Sequence, residues 1–246
     1  CILPALDADL QPTSFAREVS SFESWVTAKT GWSNFLLPML KTAPAWTLFR
    51  AGVLNSLILI AGALVATFLF AVLMGALLGS RLAVLRWPAR ALTVVLQSSP
   101  IVLTLVIAAA LSQALFAYSD AVAIGAAIVA LGLTNGSNAG QAISEAMSTL
   151  RTEHERLGQG SAELFKHSLG RSSAQLVSFL VNAAKGTPIA AFIGAPELLS
   201  SLTDITSFSA GRVTTYWLLL IFYIVVVMIV VWLCNRLQDW LARSLA

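Results

Sequence analysis

Four long runs without a charged side chain constrain this chain more than any other feature of its sequence. About 20 apolar residues in a helix cross the ~30 Å hydrocarbon core of a bilayer, and a helix satisfies its own backbone polar groups there. A buried core helix could explain one such run but not four, so each is predicted to be a transmembrane helix. The runs are 30, 29, 24 and 23 residues long and comprise Ala51–Ser80, Ala91–Ser119, Ala121–Ser144 and Val213–Asn235.

A fifth stretch is nearly as apolar. Ser172–Pro196 is 25 residues long and contains one charge, that of Lys185. The composition agrees, because 57% of the residues are hydrophobic and 11% are charged, against about 25% charged in soluble domains. The sequence therefore predicts an all-α integral membrane protein whose five transmembrane helices lie within residues 35–246. Residues 1–34 form a separate polar segment with no functional motif, and Cys1 fits either a lipidated terminus or the start of a fragment.

A polar island at Glu145–Arg171 interrupts the apolar sequence and carries eight of the 27 charged residues and both histidines. With alternating spans, the loop at 81–90, the polar island and the tail after Cys234 fall on one side of the membrane. Together they carry nine Lys or Arg residues, whereas the opposite short loops carry only Arg212. Cytoplasmic loops are enriched in Lys and Arg. We therefore predict a cytoplasmic polar island, a cytoplasmic carboxyl terminus and an amino terminus outside.

The sequence lacks the signatures of several functional classes. The net charge of +3 comes from basic residues at span ends and not from an aromatic-laced patch, which argues against nucleic acid as a partner. The chain contains no Gly-Lys pair and so no Walker A loop, and it has no G-x-S-x-G or HExxH pattern. His154 and His167 are thirteen residues apart with no Cys nearby, so no metal site and no catalytic residue is predicted.

Lys185 is the polar residue of greatest interest within a predicted span. An ionisable group there is costly unless it is paired or hydrated, and the Gly186–Pro188 segment is expected to break the helix and free backbone polar groups. One interpretation is a hydrated path on which a solute carboxylate meets Lys185. The alternatives are snorkelling to the interface and a structural pair with a neighbouring helix.

Small residues four positions apart occur in two of the predicted spans. Helix packing is the expected role of such ladders, because small residues let two helices approach closely, and the alternative is a direct role in contact with substrate. The first ladder is Ala71, Gly75 and Gly79, and the second is Gly132, Gly136 and Gly140.

Two motifs combine polar residues with a proline, QSSPIVL at 97–103 and KGTPIAAFIGAPELL at 185–199. They resemble two motifs of one family, the permease subunits of ATP-binding-cassette importers for polar amino acids. The first is similar to that family's R-G-T-P-L-L-V segment, and the second is similar to its K-D-T-S-L-x-x-x-I-G-V-P-E-L run. Gly186 replaces the usual Asp of the second motif. The resemblance covers residues 35–246 and implies the fold of a type I importer permease. The expected substrate-path residues are Gln97, Ser98, Ser99, Asn135, Lys185 and Thr187.

The resemblance also implies a short cytoplasmic coupling helix, with the motif E-A-A-x-x-x-G, that sits in a cleft of the ATPase subunit. Two imperfect alignments exist, and neither is followed by the family's proline. In the first, Arg151 stands where the motif has its glycine. The candidate coupling residues of the first alignment are Glu145, Ala146, Leu150 and Arg151, and those of the second are Gly158, Gln159, Ala162 and Glu163.

What the resemblance implies about function is an importer permease that moves a polar or charged amino acid into the cytoplasm. Such a chain is not an enzyme and binds no cofactor itself, because ATP is bound by separate ATPase subunits. The implied partners are those ATPases, a second permease subunit, an extracytoplasmic substrate-binding protein and the lipid of a bacterial cytoplasmic membrane. The alternatives are an ATP-independent secondary transporter or channel, and a non-transporting subunit of a heterodimeric permease.

Overall fold

The computed structural model describes residues 11–33, 35–158 and 160–245. Cys1 and Gln159, which carry sequence predictions, lie outside the described residues. Secondary structure in the described part is helical apart from one isolated bridge between Pro12 and Thr42. The α-helices are α1 (Ala16–Thr30), α2 (Ala43–Gly79), α3 (Ala83–Ser98), α4 (Ile101–Leu115), α5 (Asp120–Arg156), α6 (Ser161–Arg171), α7 (Ser173–Gly186), α8 (Leu198–Ser207) and α9 (Arg212–Leu245).

Four helical stretches of the described residues are long and apolar enough to cross a membrane, and these confirm four of the five predicted spans. One of them continues from α7 through a 3₁₀ segment, so that the helix loses its α-geometry after Gly186, where the sequence predicts a break. The four stretches are Ala43–Gly79, Asp120–Arg156, Ser173–Ile193 and Arg212–Ser244.

The second predicted span, Ala91–Ser119, is wrong as one continuous helix. It falls across α3 and α4, which meet at a bend of 116°, and it counts as a fifth span only if that bent pair is taken together. The break follows from local chemistry, because Pro100 has no N–H for the helical ladder and disfavours helical geometry in the residue before it. Ser99 accordingly has ψ 131°, which is extended backbone.

The helices divide into two compact units. The first comprises residues up to Leu57 together with Pro196–Val225, and the second comprises Ile58–Ala195 with Val226–Ala246. In the first unit, a cluster of Met39, Leu198 and neighbouring apolar side chains forms the core. Helix α1 ends at Thr30 and is capped by Gly31, whose φ of 71° is a left-handed conformation that glycine adopts without strain.

In the second unit, α5 packs against the later turns of α2 through the glycines of both ladders. A Cβ at Gly136 would lie 2.5 Å from the Phe70 Cβ atom and 2.9 Å from the Thr67 carbonyl oxygen. A Cβ at Gly140 would lie 2.8 Å from the Gly75 backbone nitrogen. These distances leave no room for a side chain, so the backbones of the two helices meet directly. The expectation that the ladders serve helix packing is confirmed.

Candidate functional site

The residues predicted to line a substrate path come from three segments of the second unit that meet around Gly186. A Cβ at this glycine would lie 3.1 Å from Leu131 Cδ2 on α5 and 3.8 Å from Ile101 Cδ1 at the start of α4. The end of α7, the middle of α5 and the break between α3 and α4 are therefore neighbours. The two motifs that are 88 residues apart in sequence, beginning at Gln97 and Lys185, contribute to one region of the fold.

Two of the predicted path residues are buried and satisfied within their own helices. The Asn135 amide nitrogen donates to the Leu131 carbonyl oxygen at 2.9 Å, and the Thr187 hydroxyl donates to the Ala184 carbonyl oxygen at 2.8 Å. Thr187 is fully buried. Each side chain therefore donates to a backbone carbonyl oxygen about one turn earlier. Neither of these donor groups is directed to a surface of this chain.

Lys185 lies at the last turn of α7, and its side chain is exposed. The sequence placed an ammonium group within a span, where burial would require a partner. Instead, the helix face on which Lys185 lies is open in this chain, and none of the described carboxylates forms an ion pair with it. Gln97 and Ser98 at the end of α3 are also exposed. Three members of the predicted path, Gln97, Ser98 and Lys185, are therefore exposed in this chain.

A chain of amides runs from α3 onto α5. The Gln97 Nε2 atom donates to the Gln141 Oε1 atom at 2.5 Å, and the Gln141 Nε2 atom donates to the Glu145 carboxylate at 2.9 Å. Gln97 is a predicted residue of the substrate path and Glu145 a predicted residue of the coupling segment, and nothing in the sequence relates the two. Gln141, which the sequence analysis missed, joins them because it lies one helical turn before Glu145 on α5.

The two alignments of the coupling motif fall on different kinds of structure. The residues of the first, Glu145 to Arg151, belong to α5, which continues without interruption to Arg156. The second begins in a turn at Gly158, whose φ of 66° is left-handed, and continues into α6. Glu163 lies exposed in the first turn of α6, so the second alignment coincides with a short separate helix.

Arg151 stands where the first alignment of the coupling motif has its glycine, and its side chain contacts the end of α2. Its guanidinium donates to the Gly79 carbonyl oxygen at 2.7 Å, at the carboxyl end of α2, where the last helical carbonyls lack partners. A second contact between the same two regions is the ion pair of Arg81 with Glu155. A groove of about 720 Å³, lined by Arg81, Arg151, Glu155 and the start of α6, lies at this end of the unit.

The two histidines of the polar island contact each other although thirteen residues separate them. The Nε2 atom of His154 lies 2.8 Å from the Nδ1 atom of His167, which joins the last turns of α5 to α6. His154 is buried and His167 is half-buried. Among the residues that the structure describes, no group of three or more His, Cys, Asp or Glu side chains is arranged to hold a metal ion.

Glu197, in the first unit, is a buried polar residue that the sequence analysis cited only as part of a motif. Its carboxylate accepts from the backbone N–H groups of Leu199 and Ser200 at 2.9 and 3.0 Å, and so caps α8. It also accepts from the hydroxyl of Tyr223 on α9. The sequence does contain an indication of this role. Glu197 follows Pro196 between two apolar stretches, and a charged group buried in such a position requires hydrogen-bond partners.

Comparisons with known proteins bear on the whole chain. No family model matches the chain, and no curated protein matches it in sequence. Among solved structures, the chain matches one chain in the crystal structure of an amino acid ABC transporter with histidines. The TM-score is 0.62 at 17% sequence identity, and the match covers 81% of this chain and 94% of that chain. The chain is therefore an all-α membrane protein with the fold of that transporter chain.

Proposed function

We propose that this protein is the membrane-spanning permease subunit of an ATP-driven importer that carries a polar or charged amino acid into the cytoplasm. The single observation that carries the proposal is the fold shared with a chain of an amino acid ABC transporter over 81% of this chain. The two sequence motifs that resemble the permease family, at 97–103 and 185–199, support the same assignment. In this role the chain breaks no bond and binds no cofactor, and ATP is hydrolysed on separate ATPase subunits.

The proposed contact with an ATPase is α6 together with the turn before it. Helix α6 follows the long helix α5 as a separate segment of 11 residues, as a coupling helix would. Its exposed side chains include Glu163 and Lys166, and Leu157 in the preceding turn is also exposed. Arg151 is not assigned to this contact, because its guanidinium holds the end of α2.

The proposed substrate path lies along the exposed polar surface that includes Gln97, Ser98 and Lys185. The support for this path is that the Lys185 ammonium group, near the end of α7, is exposed and would attract the carboxylate of an amino acid. A path open on one side of this chain requires a second permease subunit, identical or homologous, to close it. An extracytoplasmic binding protein would deliver the substrate to that pair.

The proposed location is the bacterial cytoplasmic membrane, with the amino terminus outside and the polar island and carboxyl terminus in the cytoplasm. This orientation rests on the nine Lys and Arg residues predicted on one side, against the single Arg212 in the short loops opposite. The four basic residues before the first span, Arg17, Lys29, Lys41 and Arg50, count against it. It places α6 where ATPase subunits are found.

The test is uptake of radiolabelled amino acids by cells that lack the chromosomal copy and express the chain from a plasmid. We expect uptake to require the chain and to cease when cellular ATP is depleted while the membrane potential is maintained. In the α6 variant, Glu163→Lys combined with Lys166→Glu, uptake should fall about tenfold or more at an unchanged amount of membrane-inserted chain. The matched control is Glu18→Lys with Lys29→Glu, which exchanges the charges of two exposed residues on α1. This control should leave uptake unchanged.

Two outcomes would replace the proposal with its alternatives. Uptake that persists without ATP would make the chain a secondary transporter or channel. Normal uptake in a variant that combines the α6 reversal with Lys185→Ala would make it a non-transporting member of a heterodimer.

A further inference from the structure

Helix α3 has an unusual distribution of side chains for a span. Only one narrow stripe, Ala89, Thr93 and Leu96, is buried against the rest of the second unit. At 3.6 residues per turn, Arg86 and Arg90 fall beside that stripe, one turn apart on a single polar strip. Most of the remaining surface is apolar and exposed, and its large side chains are Val84, Leu85, Trp87, Leu92, Val94 and Val95.

Helix α3 can neither cross a bilayer alone nor continue α4 as one straight span. Its 16 residues extend about 24 Å, which is shorter than the ~30 Å hydrocarbon core, and its axis is bent by 116° from that of α4. Its exposed apolar side, with Trp87, has the character of a helix that lies in the interface with that side in the acyl region.

The two arginines of α3 differ from the nearby Arg81 in their ion pairs. Among the residues that the structure describes, no Asp or Glu forms an ion pair with Arg86 or Arg90, whereas Arg81 pairs with Glu155. Arg86, Trp87, Arg90, Ala91, Val94 and Val95 line a surface depression of about 500 Å³. Cations beside exposed apolar groups match the chemistry of a phospholipid, whose phosphate and acyl chain are joined in one molecule.

We propose that α3 is an interfacial helix that binds the headgroup of an anionic phospholipid through Arg86 and Arg90. Trp87, Val94 and Val95 contact the acyl region of the same lipid. The leaflet is the one reached by the carboxyl ends of α2 and α5, because the contact of Arg81 with Glu155 places α3 at that face. This inference requires that the chain spans a membrane but does not depend on what it transports.

The test uses the full chain, reconstituted into phosphatidylcholine vesicles, with Trp87 as its one tryptophan and Phe at the other six Trp positions. Trp87 fluorescence is quenched with brominated phosphatidylglycerol or with brominated phosphatidylcholine at equal mole fraction. We expect the anionic lipid to be preferred beside Trp87 about thirtyfold, since each of the two cations contributes ~1 kcal/mol at an anionic surface. Arg86→Gln with Arg90→Gln should bring the preference close to one. Arg236→Gln with Arg243→Gln, which removes the same charge from α9, should retain it.

Three outcomes would overturn the proposal. Equal quenching by the two lipids in the parent protein would mean that α3 contacts acyl chains without selecting a headgroup. Absence of quenching by either would mean that protein, such as a second copy of the chain, covers α3. A preference that survives in the Arg86/Arg90 variant would place the headgroup elsewhere. If the tryptophan replacements prevent folding, native mass spectrometry of the unaltered chain and the same two arginine variants gives the comparison, with bound phosphatidylglycerol counted directly.

Discussion

The hydroxyl of Tyr223 donates a hydrogen bond of 2.7 Å to the carboxylate of Glu197, and this contact joins α9 to the start of α8. The same carboxylate caps α8 and accepts from the Ser56 hydroxyl of α2 at 3.4 Å. That hydroxyl also accepts from the Leu198 N–H at 2.8 Å. One buried acid therefore connects three segments of the first unit. Its full burial makes every donor around it important, because a buried carboxylate without partners is costly.

We expect Tyr223→Phe to lower the free energy of unfolding by about 1–2 kcal/mol, because it removes one donor from this carboxylate and leaves the packing of the ring unchanged. The measurement is the thermal unfolding midpoint of the purified chain in detergent, which should fall by several degrees. Tyr216→Phe, at an exposed tyrosine of the same helix, is the control and should not shift the midpoint. Equal midpoints for the two variants would show that the Tyr223 hydroxyl does not support the fold.

The contact of α5 with α2 predicts intolerance of side chains at Gly136. A Val at this position would place Cβ 2.5 Å from the Phe70 Cβ atom and 3.1 Å from the Ala71 backbone nitrogen, so the helices must separate. We expect Gly136→Val to unfold in detergent at a midpoint lower by 10 °C or more, or to aggregate on extraction, as overpacking costs about 1–3 kcal/mol and backbone contact adds to it. Size-exclusion chromatography and thermal unfolding measure both effects.

Gly125→Ala supplies the control on the same helix, because a Cβ there meets no atom within 4 Å. It should be neutral or stabilising by up to about 1 kcal/mol, since Ala has the higher helix propensity. Similar behaviour of the two variants would contradict the assignment of Gly136 to close packing.

The exposed ammonium of Lys185 predicts a defect in transport and not in folding. If it contacts a substrate carboxylate, Lys185→Ala removes a charge-assisted hydrogen bond and should raise the substrate concentration for half-maximal uptake about tenfold. Lys185→Arg should restore part of the affinity, and Lys29→Ala, at an exposed lysine of α1, should leave it unchanged. The measurement is the concentration dependence of uptake. An Ala variant that retains normal affinity would remove Lys185 from the path.

The predicted orientation of the chain can be read by labelling with a membrane-impermeant maleimide, in a background with Cys1→Ser and Cys234→Ala. In intact spheroplasts, Lys29→Cys on α1 should react at once, because it is exposed and predicted to lie outside. Lys166→Cys on α6 should react only after the membrane is permeabilised. Labelling of Lys166→Cys in intact spheroplasts would place α6 outside, where no ATPase subunit could reach it.

The sequence identified four helices that are long and apolar enough to cross a membrane, because the length of an apolar run and the need to satisfy the backbone in hydrocarbon are local properties. It also indicated the packing role of the glycine ladders and the loss of α-helical geometry after Gly186. The bend between α3 and α4 was not predicted, although the sequence contains Pro100. The reason is that the hydropathy of a run does not depend on the direction of the helix axis. The run Ala91–Ser119 is as apolar as a straight span.

Only the tertiary structure decided which polar groups have partners. The contacts of Arg151 with the Gly79 carbonyl, and of Glu197 with the Ser56 hydroxyl, join residues 72 and 141 positions apart. The exposure of Lys185 and the burial of Thr187 two residues later also depend on which neighbouring helix covers each face. No local sequence pattern encodes such contacts. They form only when helices that are distant in the sequence pack together, because this packing decides which residues lie opposite each other and which faces of the two helices meet.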